Sequence, residues 1–218
     1  MKSRSFILIL CCVLFSSCIV KSIQPFYIAE ATNFQEFLVG KWNDTKKGEW
    51  EVLSFKQMFL EENKDFSKVS DEDKAIYEKY KDGYFITYTK NDEKSTFVTM
   101  PFMVNDKLFM DFIPFDYEEI SNDLLSQHLL KTHSVAKIDN TNDDTIQITW
   151  LDEARLKDLF KKDQLKLDHE KVGFEESFVL TASSEELYKF LKKYEASNVE
   201  NKWESSEKFT LVKANAQP

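Results

Sequence analysis

The feature that most limits how this chain can fold is the strict alternation of its central segments. In Thr145-Ile146-Gln147-Ile148-Thr149-Trp150, Ile146, Ile148 and Trp150 fall on one face of an extended strand and three polar side chains on the other. That pattern belongs to a half-buried antiparallel strand. Leu108, Met110 and Phe112 share a face, as do Val98, Met100, Phe102 and Val104, and Asn105-Asp106 between them is hairpin-turn chemistry. Ala136 and Ile138 end another strand, which residues 140–144 turn back into the Ile146 strand. Further strands are expected at 40–43, 50–55, 84–89, 174–180 and 209–212. Eight or nine segments, mostly in meander order, predict a mainly β domain: an antiparallel barrel or strongly curled sheet with about three helices.

Each of the three helices has its own start signal. Ser70 precedes the acidic turn Asp71-Glu72-Asp73, and Gly83 follows the last helical residues. Its apolar face is thin, chiefly Ile76, Tyr77 and Tyr80, which suits a helix on the barrel surface. Asp152 can cap a helix running to Lys162 with Leu156, Leu159 and Phe160 on one side. Ser183 and Glu186 form a capping-box pattern ahead of Leu187, Phe190, Leu191 and Tyr194, spaced i, i+3, i+4, i+7. Phe34, Phe37 and Leu38 predict one or two helical turns before Gly40.

The N-terminus reads as an export signal. Lys2 and Arg4 precede an apolar run from Phe6 to Phe15, far shorter than the ~20 residues a membrane-spanning helix needs, so residues 1–17 are a signal-peptide core rather than an anchor. The run ends in Phe15-Ser16-Ser17-Cys18, which resembles the lipobox at which bacterial lipoproteins are acylated on cysteine and cleaved; Phe15 stands where an aliphatic residue is usual. The resemblance implies that Cys18 becomes a lipidated mature N-terminus. Residues 18–32, with Pro25 and no sustained periodicity, read as a tether, and the domain is expected to occupy 33–218.

Removing 1–17 also removes Cys11 and Cys12, leaving Cys18 as the only thiol, so no disulfide can form within the mature chain. It takes away Lys2 and Arg4 and no acid, so the formal charge of −9 becomes −11. Nucleic acid and direct adhesion to an anionic membrane are poor partners for such a surface. Attachment to a bilayer is expected through N-terminal acyl chains instead. Residues 19–24 carry no acidic cluster of the kind that resembles a surface-export signal, which points to the periplasmic side of the outer membrane.

Gly40-Lys41-Trp42 at the first strand resembles the Gly-x-Trp motif of lipocalins, whose Trp closes the barrel floor. The chain departs from that family in lacking its Thr-Asp-x-x-Tyr-like turn and a late-strand Arg over the Trp; the late strand offers Lys208 and Lys213. The wider pattern includes the lipobox, Lys131-Thr132-His133-Ser134, Trp150-Leu151-Asp152 and Leu180-Thr181-Ala182-Ser183. It resembles uncharacterised lipoproteins of Gram-negative bacteria with a lipocalin-like domain, a resemblance that brings no activity with it.

Little in the chain is framed for catalysis. The only imidazoles are His128, His133 and His169; in an extended segment His128 and His133 face opposite ways, and His133 shares its side with Lys131 and Lys137, which reads as solvent-exposed. Asp139 to Asp144 fails as a calcium loop, with Thr141 at the third position, Asp144 at the sixth and Trp150 where a bidentate Glu is needed. Four glycines leave no Gly-x-Ser-x-Gly elbow and no phosphate loop. Adjacent acids at 61–62, 118–119, 143–144, 175–176 and 185–186 leave a carboxylate pair open in principle. No cofactor, metal or catalytic residue is assigned.

Three function classes follow. One is a binding module that takes an apolar or amphiphilic small molecule among Trp42, Phe102, Phe112 and Trp150, the last three read as inward-facing. The second is an envelope interaction protein with a filled barrel that contacts a protein partner. The third is a hydrolase built on a carboxylate pair. Whether the barrel interior is packed or hollow separates the first two.

Overall fold

A computed structural model of the protein describes residues 19–115, 129–142, 144–174, 176–205 and 207–214. The expected signal peptide, Cys18, His128, the Glu118-Glu119 pair, Asp143 and Glu175 lie outside these residues. The strands in chain order are β1 (Lys21–Ser22), β2 (Gly40–Asp44), β3 (Glu49–Ser54), β4 (Tyr84–Lys90), β5 (Glu93–Val104), β6 (Lys107–Pro114), β7 (Ser134–Asn142), β8 (Thr145–Trp150), β9 (His169–Val172), β10 (Ser177–Leu180) and β11 (Lys208–Lys213). Strands β2 to β8 pair consecutively, and β11 joins β8 to β2, closing an eight-stranded antiparallel barrel.

Local chemistry sets the hairpins. Asn91-Asp92 and Asn105-Asp106 all have positive φ, between 46° and 66°, the left-handed pair that a two-residue turn needs to match strand twist. Between β2 and β3, Asp44 Oδ1 accepts from the backbone N–H of Lys46 (2.7 Å) and Gly48 (2.8 Å), while Oδ2 accepts from Trp50 Nε1 at 2.8 Å. Gly48 is required there, because a Cβ would lie 2.3 Å from the Tyr88 ring.

Four α-helices occur among the described residues: α1 (Phe55–Glu62), α2 (Asp71–Tyr80), α3 (Glu153–Lys161) and α4 (Ser184–Ala196). The last three begin where their caps predict. The Ser70 and Asp152 side chains accept from the N–H of Asp73 (3.0 Å) and Arg155 (2.9 Å). Both halves of the Ser183–Glu186 capping box are made. Helix α1 corrects the expected strand 50–55: the chain leaves β3 at Ser54, which caps the helix on Gln57 N–H. Phe55 and Phe59 then turn to one side, onto Tyr77 and Val98.

The expected strand 174–180 is confined to β10 and does not join the barrel. It pairs in parallel with β1 and antiparallel with β9, forming a separate three-stranded sheet. The larger correction is to the tether. Val20, Ser22 and Phe26 are fully buried, Ser22 and His133 exchange backbone hydrogen bonds of 2.9 and 2.8 Å, and Val20 N–H donates to Leu151 O at 3.0 Å. Residues 19–32 are part of the fold, held by backbone pairing that no side-chain periodicity announces.

Three apolar clusters result among the described residues. One fills the barrel, a second lies between its outer face and β1, β10, α3 and α4, and a third lies under α1 and α2.

Candidate functional site

The barrel interior is the first place to look for a site. Trp42 stands at its floor: its Nε1 donates to Leu38 O at 2.9 Å, in the 3₁₀ turn Glu36–Leu38, and Lys213 Nζ sits 5.4 Å from its ring centroid. Of the two late-strand lysines, Lys208 and Lys213, it is Lys213 that lies over the Trp42 ring. Tyr84 pins the same turn, its hydroxyl accepting from Gln35 N–H at 2.7 Å and donating to Gln35 O at 2.9 Å. Burial pushes that phenol well above its usual range.

At the other end Trp150 forms an aromatic nest with Phe112 (ring centroids 5.1 Å), Phe209 (5.6 Å) and Trp50 (6.3 Å). Trp42, Tyr84, Ile86, Met110, Phe112 and Leu211 expose no more than 2% of their surface, and Trp150 exposes 8%. Side chains that covered adjoin no solvent-sized space, so the barrel is packed rather than hollow around them. Three of the four expected ligand-lining residues, Trp42, Phe112 and Trp150, are therefore brought together as core.

Phe102 is elsewhere. It does share a face with Val104, but that face is the outer one: Phe102 and Val104 pack with Phe109, Val135, Leu187 and Leu191 against α4. Period 2 tells which residues share a face and not which face is inside, and here both faces of β5 are apolar because helices cover the outside.

Asp111 and His133 form a buried pair that sequence reading missed. His133 Nδ1 lies 2.6 Å from Asp111 Oδ1, and Asp111 Oδ2 accepts the Phe26 N–H at 2.9 Å. His133 is buried (9% exposed), which corrects its reading as a solvent-facing residue beside Lys131 and Lys137. Ser22 lies across from it, fully buried, with Oγ donating to Leu180 O (3.4 Å) and accepting from Gln24 N–H (3.2 Å). These bonds tie the hydroxyl to backbone and remove it from substrate reach. The group works as a clamp on the N-terminal segment, and the one sequence signal for it is an acid inside the apolar run Leu108 to Ile113.

Other polar candidates are accounted for locally. His169 stacks on Phe160 (4.3 Å) and Phe178 (4.8 Å). Glu186 is held below the usual carboxylate range by hydrogen bonds from the Ser183 backbone and side chain, and Glu176 by Lys171; a general acid requires the opposite shift. Among the described residues no three His, Cys, Asp or Glu side chains gather as a metal site.

Among the described residues a large open space lies outside the barrel. A cleft of about 1560 Å³ runs between α3, the segment 162–168 and α4. Leu159, Phe160, Leu165, Leu167, Phe190 and Tyr194 supply apolar walls, and Arg155, Lys161, Lys166, Lys189, Lys193, Asp158 and Glu200 stand among the lining residues. Burial pushes the Tyr194 phenol up to about 12, and its hydroxyl donates to Lys202 O at 2.8 Å. Comparison with protein-family models, with curated proteins and with solved structures gives no match to this chain.

Proposed function

We propose that this chain is a lipid-anchored cell-envelope protein, held through acylated Cys18 and facing the periplasm. In this reading the filled lipocalin-like barrel is a scaffold, and the cleft between α3 and α4 takes a segment of a partner protein. The observation that carries it is the distribution of space: the barrel interior is packed, whereas the outer cleft, at about 1560 Å³, exceeds the ~300–1,000 Å³ of small-molecule pockets. Apolar and charged side chains share the lining of the cleft, a mixed composition that a protein segment can meet with both contact types. The lipobox resemblance at Ser16-Ser17-Cys18 supports the anchor, and the early Gly40-Lys41-Trp42 supports the family likeness.

The test is site-specific photo-crosslinking in cells. A crosslinker at Leu165 or Lys189 should trap one discrete protein adduct, and a crosslinker at Glu51, on the far side of the barrel, should not. An adduct of lipid mass would favour an amphiphile as the cleft's occupant. Identical products from all three positions would remove the proposal.

A further inference from the structure

The acyl anchor and the folded domain are joined without slack, and this fixes which end of the barrel meets the membrane. A free tether of residues 18–32, at ~3.3–3.6 Å per residue, could reach roughly 50 Å and would let the domain adopt any orientation. The structure contains no such tether. Ile19 is bridged to Asp152, two residues past the end of β8, and packs on the barrel-interior cluster. Val20 is fully buried, β1 is paired to β10, and Ser22 is paired to His133. Cys18 is bonded to Ile19, so one peptide, ~3.8 Å between Cα atoms, separates the modified residue from a fixed point of the fold.

We propose that the barrel end formed by the finish of β8 and the start of β7 lies against the bilayer that holds the acyl chains; this rests on the lipidation of Cys18. The end is defined by topology. It also holds the β2–β3 turn, the Asn91-Asp92 turn and the end of β6, whereas the Asn105-Asp106 turn, the turn after β7 and the Trp42 floor lie at the opposite end.

The proposed membrane end carries exposed apolar side chains. Leu130 (64% exposed) and Leu129 (40%) lead into His133, the residue paired with Ser22, and Phe115 (48%) follows β6. The turns are polar at both ends, Asn91-Asp92 at this one and Asn105-Asp106 at the other, where Leu53 (40%) is exposed at the finish of β3, so the orientation rests on the fixed position of Ile19. The Leu129, Leu130 and Phe115 side chains suit the interfacial zone of a bilayer and need no anionic lipid, which fits a chain whose net charge is negative. Held this way, the Trp42 floor points away from the membrane.

The test uses the acylated full-length product, purified from a bacterial host and reconstituted into phosphatidylcholine vesicles containing a headgroup spin-labelled lipid. Fluorophores are placed singly on Thr45→Cys and Ser95→Cys at the proposed membrane end, and on Lys107→Cys and Thr141→Cys at the other. Quenching should be severalfold stronger at Thr45 and Ser95. Equal quenching at all four positions, in a sample whose intact mass shows acylated Cys18, would overturn the orientation and leave the anchor standing. A chain that is not acylated and does not float with the vesicles would overturn both.

Discussion

Replacing Asp111 by Ala is the sharpest probe of how the N-terminal segment is held. The carboxylate is 1% exposed and its two oxygens have separate partners, Oδ1 meeting His133 Nδ1 at 2.6 Å and Oδ2 accepting the Phe26 N–H at 2.9 Å. Truncation strands a buried amide, which alone costs about 1–3 kcal/mol. It also leaves the His133 ring nitrogen without its partner, a second buried polar group stranded at about 1–3 kcal/mol. The two losses arise at one side chain and are coupled, so the expected destabilisation is about 2–5 kcal/mol. Asp111→Asn keeps an oxygen for the Phe26 amide and an amide group toward the imidazole, so it should cost about half as much. Urea unfolding followed by tryptophan emission measures the loss, and amide exchange locates it. Protection at Ser22 and Phe26 should fall further than protection in β8, because the clamp joins the segment to the barrel and not one barrel strand to another. An Asp111→Ala protein within about 1 kcal/mol of the parent, with unchanged exchange at Phe26, would refute the clamp.

Trp150→Ala removes the centre of the aromatic nest and should cost about 3–5 kcal/mol in the same unfolding assay. A fluorescent fatty-acid-like probe should show no saturable, tryptophan-quenching binding to the parent domain, since Trp42, Phe112 and Trp150 fill the space it would need; saturable binding abolished by Phe112→Asp in a folded sample would reverse that reading. Lys213→Met should cost about 0.5–1 kcal/mol through the lost cation–ring contact with Trp42, and Lys213→Arg should restore it, as chemical denaturation would report. Ser183→Ala should cost about 1 kcal/mol as a lost helix cap. The same change should bring the Glu186 carboxyl only part of the way back toward its ordinary range in an NMR titration, because the Ser183 backbone N–H, the larger of the two causes, still donates to it. Because that carboxyl is depressed when folded, its contribution is present above the unfolded value and disappears as pH falls through the folded one.

Much of this protein is written in its sequence because the signals are local. Alternation from Val98 to Trp150 marks the barrel strands, Asn105-Asp106 marks a hairpin, and Ser70, Asp152 and Ser183 mark three helix starts, since strand period, turn geometry and capping depend on residues a few positions apart. The alternation also puts Trp150 on the apolar face of its strand, where the structure buries it. What it leaves open depends on partners distant in the chain. The inside and outside of β5 are indistinguishable in it, because burial of Phe102 on the outer face comes from α4, more than 80 residues away. Phe55 begins a helix rather than ending a strand because α2 and Val98 offer its apolar side a surface. Residues 19–32 carry no periodicity because they are held by backbone pairing to His133, Leu151 and β10 and by one carboxylate on β6, and backbone hydrogen bonds are nearly blind to side-chain identity. Whether the barrel is hollow is not legible in its aromatics either. That is decided by how Trp42, Trp50, Phe112 and Trp150 interlock in three dimensions, and packing of that kind exists only once the strands have closed.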